Sequence, residues 1–171
     1  MDSVVEERPP LAARVAASPG ELLEQIAREY GVSTLEVVRN LPAEQGTVVS
    51  GEAFADIMQD ITTWGEILFL IHNGDIVLEC TGTLPAGTFG HGYFNIHGDS
   101  PIGGHIKADN CKAIAFIARG AKRISMSVQF YNAAGDAMFK IFVRRDDQRE
   151  LVADQVLRFN ALRARMAPAT Q

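Results

Sequence analysis

Histidine is the side chain through which this chain can do chemistry. Three of its four histidines, His91, His97 and His105, fall within the fifteen residues HGYFNIHGDSPIGGH. The fourth, His72, ends the strand-like run EILFLIH just before Asn73-Gly74. Imidazole ligates borderline metals and haem iron, and it changes charge near neutral pH. The spacing lacks the marks of a zinc site: there is no HExxH, no paired CxxC and no set of three ligands on one helical face. Two readings stay open, a haem or another flat ligand, or histidines that only satisfy nearby backbone groups.

His72 would share a strand face with Leu68 and Leu70, beside an apolar surface. His105 follows Gly103-Gly104, where missing side chains let a large flat ligand approach the backbone. Lys107 lies two residues on and should point to the same side as His105. An imidazole next to a cation, above an apolar sheet face, suits a haem: an iron ligand, a partner for a propionate, and apolar walls. His91 and His97, at the two ends of a glycine-flanked turn-rich stretch, read as donors to carbonyls. Cys80 and Cys111 read as free thiols, and neither is followed by proline.

The elements that must position these residues follow from hydrophobic periodicity. Ser18 and Pro19 suit the start of a helix carrying Leu22, Leu23, Ile26 and Tyr30, with Gly31 as its left-handed stop. Ser33 caps a second helix from Thr34 to Asn40, and a third should run from Glu52 to Thr63 with Phe54, Ile57, Met58, Ile61 and Trp64 inward. From Glu66 the period becomes two. EILFLIH and DIVLECTG flank Asn73-Gly74, a hairpin with a type I′ turn. Further strands are expected over 92–97, 104–108, 113–118, 123–131 and 137–143. Asp147-x-x-Glu150 reads as a capping box for a closing helix to about Arg165, with Leu151, Val152, Val156, Phe159 and Leu162 inward. This is an α+β pattern: N-terminal helices, an antiparallel β-sheet of about seven or more strands, and a C-terminal helix. Residues 1–17 are expected to be a flexible lead-in, 18–166 a single domain and 167–171 a tail.

The chain has 171 residues, 47% hydrophobic and 22% charged, with a net charge of −5. Those values suit a soluble globular domain and disfavour a general nucleic-acid or anionic-membrane binder. The acidic start MDSVVEERPP lacks a signal-peptide core, and the apolar run ILFLI is too short to insert in a membrane, so the cytoplasm is expected. IAREYGVSTLEVVRNL has a helix–turn–helix rhythm. Its second helix offers only Thr34, Glu36 and Arg39 to DNA before Pro42, too little for a nucleic-acid reader.

The strings TTWG, HGYFN, GHIKADNC and MFKIFVRRDD carry a resemblance, spanning Gly20 to Met166, to the ChuX/HutX family of haem-utilisation carriers. The resemblance implies the fold of one half of the longer HemS/ChuS proteins and a homodimer. It implies binding of haem (iron protoporphyrin IX) inside the cell and transfer to a degrading or storing partner, a downstream haem-accepting protein. It carries two haem-contacting histidines onto His72 (in LIHNGD) and His105 (in GGHIKA), with the iron as their target. A tyrosine serves as iron ligand in some members, and Tyr93 and Tyr131 are the aromatic positions to weigh. The segment RGAKR, Arg119 to Arg123, departs from the family's apolar loop, and Arg123 would face propionates there. The competing enzymatic reading is a haem-degrading oxygenase or reductase. No dinucleotide or flavin fingerprint supports it. Neutral imidazole ligates iron and imidazolium does not, so haem affinity should fall as pH drops through histidine's range.

Overall fold

A computed structural model describes residues 7–168. Three short helices open it: α1 (Leu11–Ala17), α2 (Leu23–Tyr30) and α3 (Thr34–Arg39). Gly31 ends α2 at φ 64°, its N–H donating to the Ala27 and Arg28 carbonyls, because a residue without Cβ adopts this geometry freely. Ser33 caps α3 by accepting from the Glu36 N–H. Two expectations are corrected here. Residues 11–17 of the expected lead-in form α1, because Val15 is fully buried with Leu11 beside it, a two-residue stripe too brief to stand out in sequence. The next helix begins after Leu22, not at Ser18, and Leu22 points to solvent. Residues 1–6 and 169–171, parts of the expected lead-in and tail, lie outside the described residues.

Nine strands follow, all paired antiparallel, with the helix α4 (Phe54–Ile61) between the first two and α5 (Ala153–Met166) closing the chain. The strands are β1 (Gly46–Ser50), β2 (Glu66–His72), β3 (Val77–Thr83), β4 (Gly87–Gly90), β5 (Tyr93–Ile96), β6 (Gly104–Ile106), β7 (Ala113–Arg119), β8 (Ser125–Tyr131) and β9 (Ala137–Phe142). They divide into a six-stranded sheet, order β1-β7-β8-β9-β2-β3, and a three-stranded sheet, order β4-β5-β6.

The large sheet is covered differently on its two faces. On one face Ile67, Ile114, Phe116, Val128, Phe130, Phe139 and Ile141 form the main core with α4, α5 and Phe94 and Ile96 of the small sheet. On the other face Ala113, Ala115, Ile117 and Tyr131 pack under α1, α2 and α3. The small sheet therefore turns Phe94 and Ile96 inward, leaving Tyr93 and Asn95 on its outer face. Gln155 ties α5 to β2, accepting from the Arg144 N–H and donating to the Trp64 and Glu66 carbonyls.

Two further expectations give way. The β2–β3 turn is not type I′, since Gly74 has no positive φ; the Asn73 carbonyl oxygen instead accepts from the Asp75 and Ile76 N–H groups. The I′ turn lies elsewhere, at His91-Gly92 between β4 and β5, where φ is 54° and 82°. Asp147 and Glu150 do not cap α5: Val152 precedes the helix with no side-chain bond, because Leu151 bridges to Arg145. Asp146 takes the neighbouring N–H groups of Gln148 and Glu150. The α2–α3 pair buries Thr34, Val37 and Val38, so the helix–turn–helix rhythm is spent on packing. Among the described residues no helix is long and apolar enough to cross a membrane.

Candidate functional site

The hairpin register brings side chains from β5 and β6 together. Asn95 pairs with His105 across the strands, so both project from the same outer face, and period two puts Tyr93 and Lys107 there as well. His105 Nδ1 lies 2.5 Å from Asn95 Oδ1. The Tyr93 ring meets the His105 ring edge to face, centroids 5.8 Å apart at 66°. Lys107 Nζ stands 5.8 Å from the centre of the Tyr93 ring, a cation over an aromatic face.

His105 also borders an open cleft of about 440 Å³ between β6 and the β2–β3 hairpin, walled by Phe69, Ile71, Leu78, Ile96, Ile102 and Ile106. Gly103 and Gly104 line it without side chains, and Gly104, at φ 148°, holds a backbone geometry that L residues rarely adopt. Size and apolar lining match those of small-molecule sites. The donor set fits a haem: one imidazole with a phenol and a cation beside it, at a greasy slot with bare backbone along one wall. A bare metal ion fits less well, since no group of three or more His, Cys, Asp or Glu is arranged to hold one among the described residues.

His72 is elsewhere. In β2, Phe69 and Ile71 face the His105 cleft, and His72 projects from the opposite face into a separate depression of about 390 Å³ with Arg28, Ser33, Thr34 and Asp136. Its Nδ1 is 3.7 Å from Glu24 Oε1, and Glu24 forms a close ion pair with the buried Lys140. Burial pushes the Glu24 carboxyl up, but the charge and hydrogen bond of Lys140 outweigh it and hold the group below the usual carboxylate range. The expected apolar setting for His72 is thus a charged one. Arg123 lines a third depression, about 500 Å³, on this same side with Glu24, Arg119 and Lys140, and its guanidinium donates to the Arg149 carbonyl at 3.1 Å.

The five residues singled out from sequence therefore split. His105, Tyr93 and Lys107 form one cluster, whereas His72 and Arg123 sit across the sheet. Tyr131 is fully buried, donates to Gln129 Oε1 at 2.5 Å, and burial raises its phenol far above the ordinary value, so it stays neutral and out of reach of a ligand. Cys111 is buried and its thiol pushed up to about 11, an inert group. Cys80 lines the His105 cleft. His91 shapes the β4–β5 turn and His97 lies exposed beyond β5. Sequence reasoning missed Asn95. Its one signal was an amide at the centre of the strand YFNI, where an outward polar side chain has no packing role.

The chain is 30% identical over 154 residues to the intracellular haem transport protein HutX of Vibrio cholerae, covering 89% of this chain and 80% of that one. The structure of the haem binding protein ChuX superposes with a TM-score of 0.86 at 41% identity, over 91% of this chain and 98% of that one. The haem degrading enzyme ChuS of Escherichia coli shares the fold, with a TM-score of 0.76, 14% identity and 95% of this chain laid over 49% of the longer one. Residues 47–162 match the family described as haem utilisation ChuX/HutX, and the chain belongs to it.

Proposed function

We propose that this protein is a haem carrier of the cytoplasm, which takes up imported haem and hands it to a degrading or storing partner. One observation carries the reading: in a chain of this family, an imidazole backed by Tyr93 and Lys107 borders an apolar cleft with glycine backbone along one wall. His105 supplies the iron ligand, the apolar residues exclude water from the ring faces, and Lys107 meets a propionate. Tyr93 is the alternative ligand. The cleft is open and His105 is exposed, so a receiving protein can approach the haem directly and the imidazole can exchange. His72, braced by Glu24 on the other face, reaches the haem only where another copy brings it there.

The protein acts as a homodimer in this reading. Ile76, Val77 and Leu78 at the tip of the β2–β3 hairpin are each more than half exposed, and β3 is an edge of the large sheet. Unpaired edges and apolar patches are surfaces that a second copy covers. A monomer mass in sedimentation equilibrium would remove this part.

The test of the carrier is titration of purified protein with hemin, followed by mixing with an acceptor haem protein. Saturable one-to-one binding with a shifted Soret band, then transfer of intact haem, is expected. No Soret shift, or no saturation, rejects the reading. Haem consumed with a physiological electron donor and a released product would make the protein an enzyme instead. The likeness to ChuS, at 14% identity, bears on the fold alone.

A further inference from the structure

We propose that Asn95 is a positioning residue for the iron: it holds the His105 ring in one tautomer, with the proton on Nδ1 and the lone pair of Nε2 left for a metal. The proposal rests on the reading of His105 as the haem ligand. A side-chain amide has a donating and an accepting end, and its neighbours decide which way it points. Asn95 Nδ2 lies 3.2 Å from the Thr88 carbonyl, 3.2 Å from that of Gly90 and 3.4 Å from that of Tyr93. Flipping the amide would turn its oxygen against three carbonyl oxygens, so Oδ1 must face His105. That oxygen only accepts. The partner atom, His105 Nδ1 at 2.5 Å, must therefore carry the proton, which leaves the other ring nitrogen unprotonated in neutral imidazole.

The same geometry accounts for the string HGYFN residue by residue. His91 and Gly92, both at positive φ, make the tight turn that folds Gly90 back beside Tyr93. Tyr93 meets the His105 ring edge to face. Phe94 is buried in the core, meeting Phe54 at 5.2 Å and anchoring the strand from below. Asn95 reads three carbonyls of this hairpin and transmits their direction to the imidazole ten residues on. A hydrogen-bond acceptor behind a ligating histidine fixes its orientation and raises its basicity, and losing such a partner costs about 10- to 100-fold in metal affinity.

The test uses the intact protein. Long-range 1H–15N correlation spectra of the haem-free wild type should show His105 protonated at Nδ1 near neutral pH. In Asn95→Leu that preference should vanish, and haem should bind about 10-fold more weakly or worse, with a lowered iron–histidine stretching frequency in resonance Raman spectra of the ferrous complex. Asn95→Thr, β-branched and too short to span to the ring, should behave alike and serves if the leucine variant fails to fold. In a His105→Ala background either substitution should leave haem affinity unchanged, because Asn95 acts through the ring. A wild-type His105 protonated at Nε2, or variants that keep both tautomer and affinity, would overturn the proposal. If the tautomer is as expected but His105→Ala binds haem with wild-type affinity and spectrum, the ligand reading falls and takes the role toward iron with it, while the clamp itself stands.

Discussion

His72 and His105 end up in contrasting surroundings although both lie on exposed hairpins of antiparallel sheets. His105 looks outward from the small sheet, with an amide at its Nδ1, an aromatic ring packed against it edge to face and an apolar cleft beside it. His72 looks across the large sheet at a carboxylate already claimed by Lys140, in a depression lined by polar groups from α2 and α3. An imidazole with a neutral acceptor behind it and an apolar cleft beside it is prepared for a metal. An imidazole sharing a carboxylate with an ammonium is part of an ionic brace. Residue type was equal; the neighbours assign the task.

Six substitutions would break or sharpen that contrast. The largest effect belongs to the brace. Glu24→Gln leaves the Lys140 ammonium buried without its counter-charge, and should cost about 3 kcal/mol in urea unfolding at pH 7, with the Soret band of the haem complex unchanged. The pH dependence follows from the lowered Glu24 carboxyl. A group whose acidity is increased by folding stabilises the native state above its unfolded value, about 4.3 for glutamate, and loses that contribution as pH falls through the lower native value. Wild-type stability should therefore decline below about pH 4, and the variant should lack this part of the decline.

His105→Ala comes next, on the order of 100-fold in haem dissociation constant by spectral titration, with little change in stability because the ring is exposed. Lys107→Ala should weaken haem about two- to fivefold, the scale of an exposed ion pair, and the difference should shrink at high salt. Tyr93→Phe should leave the haem spectrum as it is; loss of the wild-type spectrum would make the phenolate the ligand. The smallest effects are expected from His72→Ala and Arg123→Ala, within about twofold, because both residues sit across the sheet from the cleft. A loss at His72 as large as at His105 would end the contrast and mean that a second copy presents the other face of the sheet to the haem.

Much of the scaffold is legible in the sequence alone. The three-and-four spacing of Phe54, Ile57, Met58 and Ile61 made a helix with one buried side, and all four are buried. The alternation from Glu66 onward made the β2–β3 pair, and Gly31 and Ser33 worked as stop and cap. What was missed is short or local. β1 has five residues and β4 has four, lengths at which alternation carries little signal. The apparent capping box before α5 lost to the bridge between Arg145 and Leu151, a tertiary contact that displaced the helix start. Within the site, Lys107 on the His105 side follows from period two alone. Asn95 does not, because its partner lies on another strand.

The order and type of the elements, the family strings and the histidines worth examining were all written in the chain, since periodicity, capping and turn chemistry act over a few neighbouring residues. Which histidine meets an apolar cleft and which meets Glu24 was decided only by tertiary structure. Strand register and the choice of sheet face bring together residues far apart in sequence, and a shift of one residue exchanges the two faces.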